Sequence, residues 1–234
     1  MSVAFNTLNL AALNHAALGP ALGLGGATNL AVAAAVGNIG GVAVPAMLAN
    51  ILPTITGRWN IDRSEANRRV YVDAFLNAVM HTWNGAIPVP LMITCEESIA
   101  ANAVNYGHGR LDYLLSALMA GVVIPLWSPA LVIEAKLNLN HGGAAADYGE
   151  PQLIGEIVTV RQLGVAAGQG AANNFLRGVL TDGQFWRFYE INEVNGTIQR
   201  SPALDITVDG NATTVVRILR KFMLNWNAVG SLWI

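Results

Sequence analysis

Apolar residues recur at two spacings along this chain, and together they predict a protein built from both helices and strands. A helical spacing joins Val72, Leu76 and Val79, and Ser64 suits the position that caps the first turn of that helix. A later helix is indicated by Pro151, because proline is favoured in a first helical turn. The predicted helices cover residues 64–81, 147–165 and 213–226.

Short apolar runs between turn-forming residues predict the strands. These runs cover residues 90–94, 110–115, 130–137 and 206–208, with a hairpin over residues 177–191. Asp182 and Gly183 are expected to form the two-residue turn of the hairpin. Glycine and alanine are frequent in residues 138–146 and 164–170, where we expect loops. Interspersed helices and strands of this kind predict the α/β class.

The N-terminal segment differs from the rest of the chain because it contains no Asp, Glu, Lys or Arg before Arg58. Its richness in Ala and Gly predicts an appendage, residues 1–57, in front of a folded domain, residues 58–234. Residues 30–52 are apolar over the length of a membrane span, but Gly37 and Pro45 interrupt them, and Ala and Gly contribute little to insertion. A membrane anchor is therefore an alternative, and a membrane partner is not expected.

Composition allows a sizeable core, since 53% of the 234 residues are hydrophobic and only 12% are charged. The formal net charge of −2 supplies no overall basic field for nucleic acid, although a local patch can suffice. Cys95 is the only cysteine, which excludes an intramolecular disulfide and a cysteine-cluster zinc site. We therefore expect a reducing, intracellular setting, the cytoplasm or the nucleus.

Charged residues interrupt two consecutive predicted strands. Glu134 and Lys136 lie two positions apart in one strand, so their side chains point to the same face. Asp112 is a single acid among apolar neighbours in the strand before it. A buried charge is costly unless it is paired or binds something, so these residues are candidates for a site. For Glu134 and Lys136 alone, the simpler interpretation is a salt bridge at a strand end.

Two of the predicted helices add polar residues to this set. Glu65 and Arg69 precede Val72 at helical intervals, which places them on the apolar side of the first helix. The alternative for Glu65 is a first-turn acid that is favoured by the helix dipole. Gln152 opens the next helix and shares one side of it with Glu156.

In order along the chain, these residues resemble the site of the PD-(D/E)xK nuclease superfamily. Its motif is an acid on one strand, then Glu or Asp, any residue and Lys on the next, which Asp112 and residues 134–136 match. The resemblance covers residues 62–191 and implies a restriction-endonuclease-like core, a central mixed β-sheet flanked by helices. The hairpin over residues 177–188 looks like a stretch in crinkler-type members of fungi and oomycetes.

The resemblance implies a metal-dependent endonuclease that hydrolyses phosphodiesters in nucleic acid. Asp112 and Glu134 would hold Mg²⁺, or Mn²⁺ in its place, together with the backbone carbonyl of Ala135. Glu65 would act as an outer ligand. Lys136 would position the attacking water and counter the developing charge, and Gln152 would orient the lysine or the phosphate backbone. Many nucleases with this site pair to cut two strands, so a homodimer is one expectation, whereas the choice between DNA and RNA stays open.

The low charge favours an alternative function, a catalytically inactive nuclease-fold module that serves as a binding or effector scaffold. Phosphate binding usually draws on several Lys or Arg side chains. Four arginines are candidates for a local positive rim around the site: Arg110, Arg161, Arg177 and Arg187. A catalytic site is favoured instead by the joint presence of Asp112, Glu134 and Lys136, which a pure scaffold does not need.

Overall fold

A computed structural model describes part of the 234-residue chain. The described residues are 29–32, 45–58, 64–81, 91–99, 109–117, 129–136, 149–166, 175–208, 210–225 and 230–232. The predicted loop over residues 138–146 lies outside them.

Four helices and eight strands lie along the described segments. The helices are α1 (Ala46–Arg58), α2 (Glu65–His81), α3 (Glu150–Ala166) and α4 (Asn211–Leu224). The strands are β1 (Asn29–Val32), β2 (Leu91–Ile99), β3 (Gly109–Ala117), β4 (Pro129–Ala135), β5 (Phe175–Thr181), β6 (Phe185–Asn192), β7 (Thr197–Arg200) and β8 (Leu204–Asp205).

These strands form a single eight-stranded sheet in the order β1-β7-β6-β5-β4-β3-β2, and β8 pairs with one end of β6. Neighbouring strands are antiparallel except for two parallel pairs, β4 with β5 and β1 with β7. The α/β class and the central mixed sheet flanked by helices, both predicted from the sequence, are thus confirmed.

Helix α3 connects the two parallel strands β4 and β5, because parallel neighbours need a crossover connection. The register places Val132 opposite Gly178 and Glu134 opposite Leu180. A Cβ atom on Gly178 would lie 2.3 Å from Cδ1 of Ile157, so the glycine allows α3 to approach the sheet closely. This close packing fixes the position of α3 over the end of β4.

Apolar side chains cover both faces of the sheet, and alternate residues of one strand go to different faces. Ile133 belongs to a core shared with α1, α2 and α4, whereas Val132 belongs to a second core shared with α3. We name these the α2–α4 face and the α3 face. Glu134 follows Val132 by two positions and therefore points to the α3 face.

Two helices agree closely with their prediction. The amide of Asn67 donates to Oγ of Ser64 at 3.2 Å, so Ser64 caps α2 as expected. Helix α4 begins at Asn211, two residues before its predicted start, and buries its expected apolar stripe. That stripe comprises Val216, Leu219, Phe222 and Met223.

The N-terminal boundary of α3 differs from its prediction. The helix begins at Glu150, because Gly149 has φ +94, which no right-handed helix contains. At its other end α3 runs to Ala166, through the first residues of the loop predicted at 164–170.

Several predicted strand boundaries were wrong. Strand β2 continues to Ile99 through Glu96, although Glu96 has φ 58. The hairpin strands stop at Thr181 and resume at Phe185, so the connection is one residue longer than predicted and Gly183, with φ 85, lies at its centre.

Residues 206–208 form a turn and not the predicted strand, because Oδ1 of Asp205 accepts from the amide of Thr207 at 2.9 Å. Strand β7 was missed, since only Ile198 of its four residues is buried.

Two elements of the uncharged N-terminal segment contact the rest of the protein. Strand β1 pairs in parallel with β7, and Leu48 of α1 is fully buried in the core of the α2–α4 face. The boundary between residues 1–57 and 58–234 stays a prediction. In the described part of the chain, no helix combines the length and the apolar character that a membrane crossing requires.

Candidate active site

Strands β3 and β4 stop pairing at the position where the predicted acids begin. Their ladder runs from Ser116 opposite Pro129 to Tyr113 opposite Ile133 and ends there. Beyond that point, the backbone N–H of Ala135 donates to Oδ2 of Asp112 at 2.8 Å. The Asp112 side chain therefore takes the place of a backbone partner, and it lies between the two strands with only 7% of its surface exposed.

Glu134 lies on the α3 face beside the point where β3 and β4 stop pairing, which we call the junction, and it is 1% exposed. Its Oε1 accepts from Nε2 of Gln152 at 2.8 Å and forms an ion pair with Nζ of Lys136. The same Gln152 nitrogen donates to Oε1 of Glu156 at 2.8 Å. One amide group thus bridges two buried carboxyl groups. The other oxygens, Oε2 of Glu134 and Oε2 of Glu156, are buried without a hydrogen-bond partner.

Burial and the charge of a neighbouring carboxylate raise the pKa of both buried carboxyl groups. The pKa of Glu134 is raised from 4.5 to about 7, chiefly by burial and then by the charge of Asp112, while Lys136 and a hydrogen bond with Glu156 partly oppose the rise. The pKa of Glu156 is raised well above its usual range by complete burial and by the charge of Glu134. Near neutral pH this carboxyl pair therefore retains protons unless a further cation is supplied.

Lys136 carries the ammonium group of the site just beyond the end of β4. Burial lowers its pKa, but the Glu134 carboxylate more than offsets this, so the pKa lies above its usual value and the group stays charged at neutral pH. The side chain passes against Gly149, where an added Cβ atom would lie 2.7 Å from Cγ of Lys136. A glycine at the start of α3 therefore makes room for the lysine.

An arginine from α2 also reaches the junction. Arg69 forms ion pairs through one terminal nitrogen with Oδ1 of Asp112 and through the other with Oε1 of Glu96. Oε2 of Glu96 pairs in turn with Arg110. Asp112 therefore contacts a backbone N–H through one oxygen and a guanidinium group through the other.

The structure brings together four of the residues predicted for the site: Asp112, Glu134, Lys136 and Gln152. Glu65 is the first residue of α2, and its side chain lies outside the described part of the structure. Ala135 contacts Asp112 through its N–H, and the predicted role of its carbonyl stays a prediction.

Glu156 and Arg69 were not identified from the sequence as residues of the site. Glu156 follows Gln152 by one helical turn, and this spacing had placed both on one side of the helix without indicating a carboxyl pair. Arg69 was placed on the inward side of its helix, but its partners come from β2 and β3, which no local pattern specifies.

The donor set fits an oxygen-preferring divalent ion. Among the described residues, no group of three or more His, Cys, Asp or Glu side chains is arranged to hold a metal. Mg²⁺ needs only one or two carboxylates, because it retains waters and takes substrate oxygens. Asp112 and Glu134 supply that number, and the buried Oε2 of Glu134 is an acceptor without a protein donor.

The four arginines that were candidates for a positive rim around the site all form ion pairs with acids. Arg177 is 4% exposed and pairs with Glu190 at 3.0 Å, so it cannot reach a ligand at the surface. The other three are paired with acids: Arg110 with Glu96, Arg161 with Glu193 at 3.1 Å and Arg187 with Glu150 at 3.6 Å.

Comparison with protein-family models and comparison with curated proteins each gave no match. The resemblance to the PD-(D/E)xK superfamily therefore depends on the residues of this chain and on their arrangement.

Proposed function

We propose that this chain is a divalent-metal-dependent phosphodiesterase of the PD-(D/E)xK type that cleaves nucleic acid. One observation carries the proposal: Asp112, Glu134 and Lys136 lie together where the pairing of β3 and β4 ends. Gln152 donates a hydrogen bond to the Glu134 carboxylate at this point. The pKa of Glu134, raised to about 7, and its unpartnered Oε2 are what a carboxylate ligand shows before its cation arrives.

The order of the elements supports the finer assignment to a restriction-endonuclease-like core. Helix α2 precedes the antiparallel strands β2, β3 and β4, and α3 then crosses to β5, which is parallel to β4. The acid of β3 and the Glu-x-Lys of β4 thereby come to one end of the sheet, next to the start of α3. The motif needs its first acid and its Glu-x-Lys on neighbouring strands, and β3 and β4 are neighbours.

Asp112 and Glu134 would hold Mg²⁺ or Mn²⁺. The bound ion supplies a Lewis acid that eases the ionisation of water and offsets the charge of the phosphate. Asp112 is held in place by the N–H of Ala135, and Glu134 by Gln152, so both carboxylates are oriented before any ligand binds. Such preorganisation avoids the cost of rearranging charges during the reaction.

Lys136 serves this site as a cation and not as a base, because its raised pKa keeps it protonated at neutral pH. Its ammonium group can donate a hydrogen bond to the attacking water and counter the charge that grows on the phosphate oxygens. Gln152 holds Glu134 toward Lys136 and so fixes the direction of the ion pair.

Nuclease assays with end-labelled single- and double-stranded DNA and RNA test the proposal. With Mg²⁺ or Mn²⁺ present, Lys136→Met and Asp112→Asn are expected to reduce cleavage by about a hundredfold or more. Arg220→Gln, which removes a cation from a partly exposed position of α4, is the matched control and should cleave like the wild type. Cleavage that persists in the Asp112→Asn/Lys136→Met double variant would remove this site from the mechanism.

A second function, a catalytically inactive binding or effector module, is favoured by the paired arginines. Each arginine of the expected rim already forms an ion pair with an acid, which leaves less charge for phosphate. A fluorescence titration of nucleic acid at several salt concentrations separates the two functions. Absence of both cleavage and salt-dependent binding would support the scaffold.

A further inference from the structure

Arg69 occupies the face of Asp112 that a metal would need. Of the two carboxylate oxygens, Oδ2 accepts from the N–H of Ala135, and Oδ1 is paired with Arg69. The Ala135 N–H belongs to a buried strand end and has little freedom to move. A cation that binds Asp112 must therefore displace the guanidinium group of Arg69 or share Oδ1 with it.

Glu96 is a second acidic partner of the Arg69 guanidinium group. One terminal nitrogen of Arg69 faces Asp112 and the other faces Glu96, whose side chain is 40% exposed. Glu96 has φ 58 within a strand, a conformation that is uncommon for a residue other than glycine. It also pairs with Arg110, so it lies between two cations at the mouth of the site.

We propose that Arg69 is a further residue of this site, an internal cation that holds Asp112 in the absence of metal and competes with the divalent ion for it. Glu96 draws Arg69 away from Asp112 and so sets the strength of the competition. The inference rests on the proposed function, since it assigns Asp112 to a metal. It makes metal affinity depend on a residue that is itself not a ligand.

Calorimetric titration of the full chain with Mg²⁺ alone, and then with Mn²⁺ alone, measures this competition without recourse to activity. Arg69→Gln is expected to bind the ion about threefold to tenfold more tightly, because it removes a partly buried ion pair that competes with the ion. Arg110→Gln removes the same charge from a residue whose described ion pair is with Glu96, and it should change affinity less than Arg69→Gln.

Glu96→Gln is the complementary variant, since it removes a charge from an exposed position and keeps the size of the side chain. With Glu96 neutral, Arg69 loses the charged partner that draws it away from Asp112, so the ion should bind more weakly than to the wild type. In the Arg69→Gln background the same Glu96→Gln change should have little effect, because a double-mutant cycle isolates the part of the effect that passes through Arg69.

The outcomes separate the two proposals. If the wild type binds the ion and Arg69→Gln binds it equally or more weakly, the competition is refuted while the metal site stands. An equal effect of Glu96→Gln with and without Arg69 also refutes it, because Glu96 then acts through its charge alone. If neither the wild type nor Arg69→Gln binds the ion, with or without an oligonucleotide, both proposals fail.

Discussion

Two buried ion pairs lie on this sheet, and they differ in how completely their atoms are bonded. Arg177 on β5 faces Glu190 on β6 directly across the ladder, with Nε to Oε2 at 3.0 Å. Glu134 and Lys136 lie at the end of β4, where the pairing of β3 and β4 has stopped. The first pair is 1% exposed on both sides, whereas a quarter of the Lys136 side chain reaches solvent.

The remaining atoms of the first pair are bonded to the end of the chain. The terminal nitrogens of Arg177 donate to the carbonyls of Asn225 at 3.3 Å and Gly230 at 3.0 Å. Glu190 accepts from the hydroxyl of Ser231 at 2.6 Å and from the amide of Leu232 at 3.1 Å. This pair fastens Asn225 and residues 230–232 to the sheet, and each of its side-chain nitrogens and oxygens already has a hydrogen-bond partner.

The second pair, Glu134 with Lys136, includes an oxygen atom that can still accept a hydrogen bond or bind a cation. Oε2 of Glu134 has no donor, and the neighbouring Glu156 carries a second unpartnered oxygen. Burial of these atoms costs free energy that the fold does not recover from its own contacts. We infer a structural role for the saturated pair and keep the unsaturated pair as the candidate site, so variants at the two pairs should behave in opposite ways.

The largest effect is expected from breaking the saturated pair. Arg177→Met leaves the Glu190 carboxylate buried without its counter-charge, which should lower the free energy of unfolding by about 3–5 kcal/mol. Urea denaturation followed by circular dichroism measures the loss. The Arg177→Met/Glu190→Met double variant should recover part of it, because no buried charge is then left alone. A loss below about 1 kcal/mol in the single variant would remove the distinction between the two pairs.

The opposite sign is expected at Glu134. Its pKa is about 7 in the folded chain against an ordinary value of 4.5, so the folded state binds more protons, and this carboxyl reduces stability as pH rises from 4.5 to 7. Glu134→Gln should therefore stabilise the metal-free protein by about 1–3 kcal/mol at pH 8 and by little at pH 4.5. Urea denaturation at both pH values measures the difference. Equal effects at the two pH values would contradict the raised pKa.

A smaller effect of the same origin is expected from the ion itself. At about ten times its Kd, Mg²⁺ should add about 1.4 kcal/mol to the stability of the wild type, and nothing to Asp112→Asn/Glu134→Gln. The gain should be greater at pH 8 than at pH 6, because the ion competes with the proton on Glu134. Thermal denaturation with and without Mg²⁺ measures it. Stabilisation of both proteins alike would place the ion elsewhere.

The sequence predicted those parts of the site that local patterns determine. The alternation along β4 places Glu134 and Lys136 on one face, and the helical interval on α3 places Gln152 beside Glu156. The contact between Arg69 and Asp112 depends instead on where α2 packs against β3, which no spacing within one element determines.

The same limit explains why Arg177 was expected at the surface. Whether the face of β5 that carries Arg177 is buried depends on α4 and on residues 230–232, which lie far along the chain. Strand β7 was missed for a related reason, since its four residues become a strand by pairing with β6 and β1 rather than by an apolar pattern of their own.

The sharpest test of the unsaturated pair is expected at Gly149, where the effect on stability is about as small as that of the ion. Gly149→Ala places a side chain at φ +94 and against Cγ of Lys136, whereas Gly210→Ala places one at φ +81 with no atom within 4 Å. Both variants should lose about 1–2 kcal/mol to the same backbone strain, measured by urea denaturation. Only Gly149→Ala should also displace Lys136, and only its cleavage rate should fall below that of the wild type. If the two variants cleave equally well, cleavage needs the charge of Lys136 but not its contact with the residue before α3. That contact would then contribute to packing only.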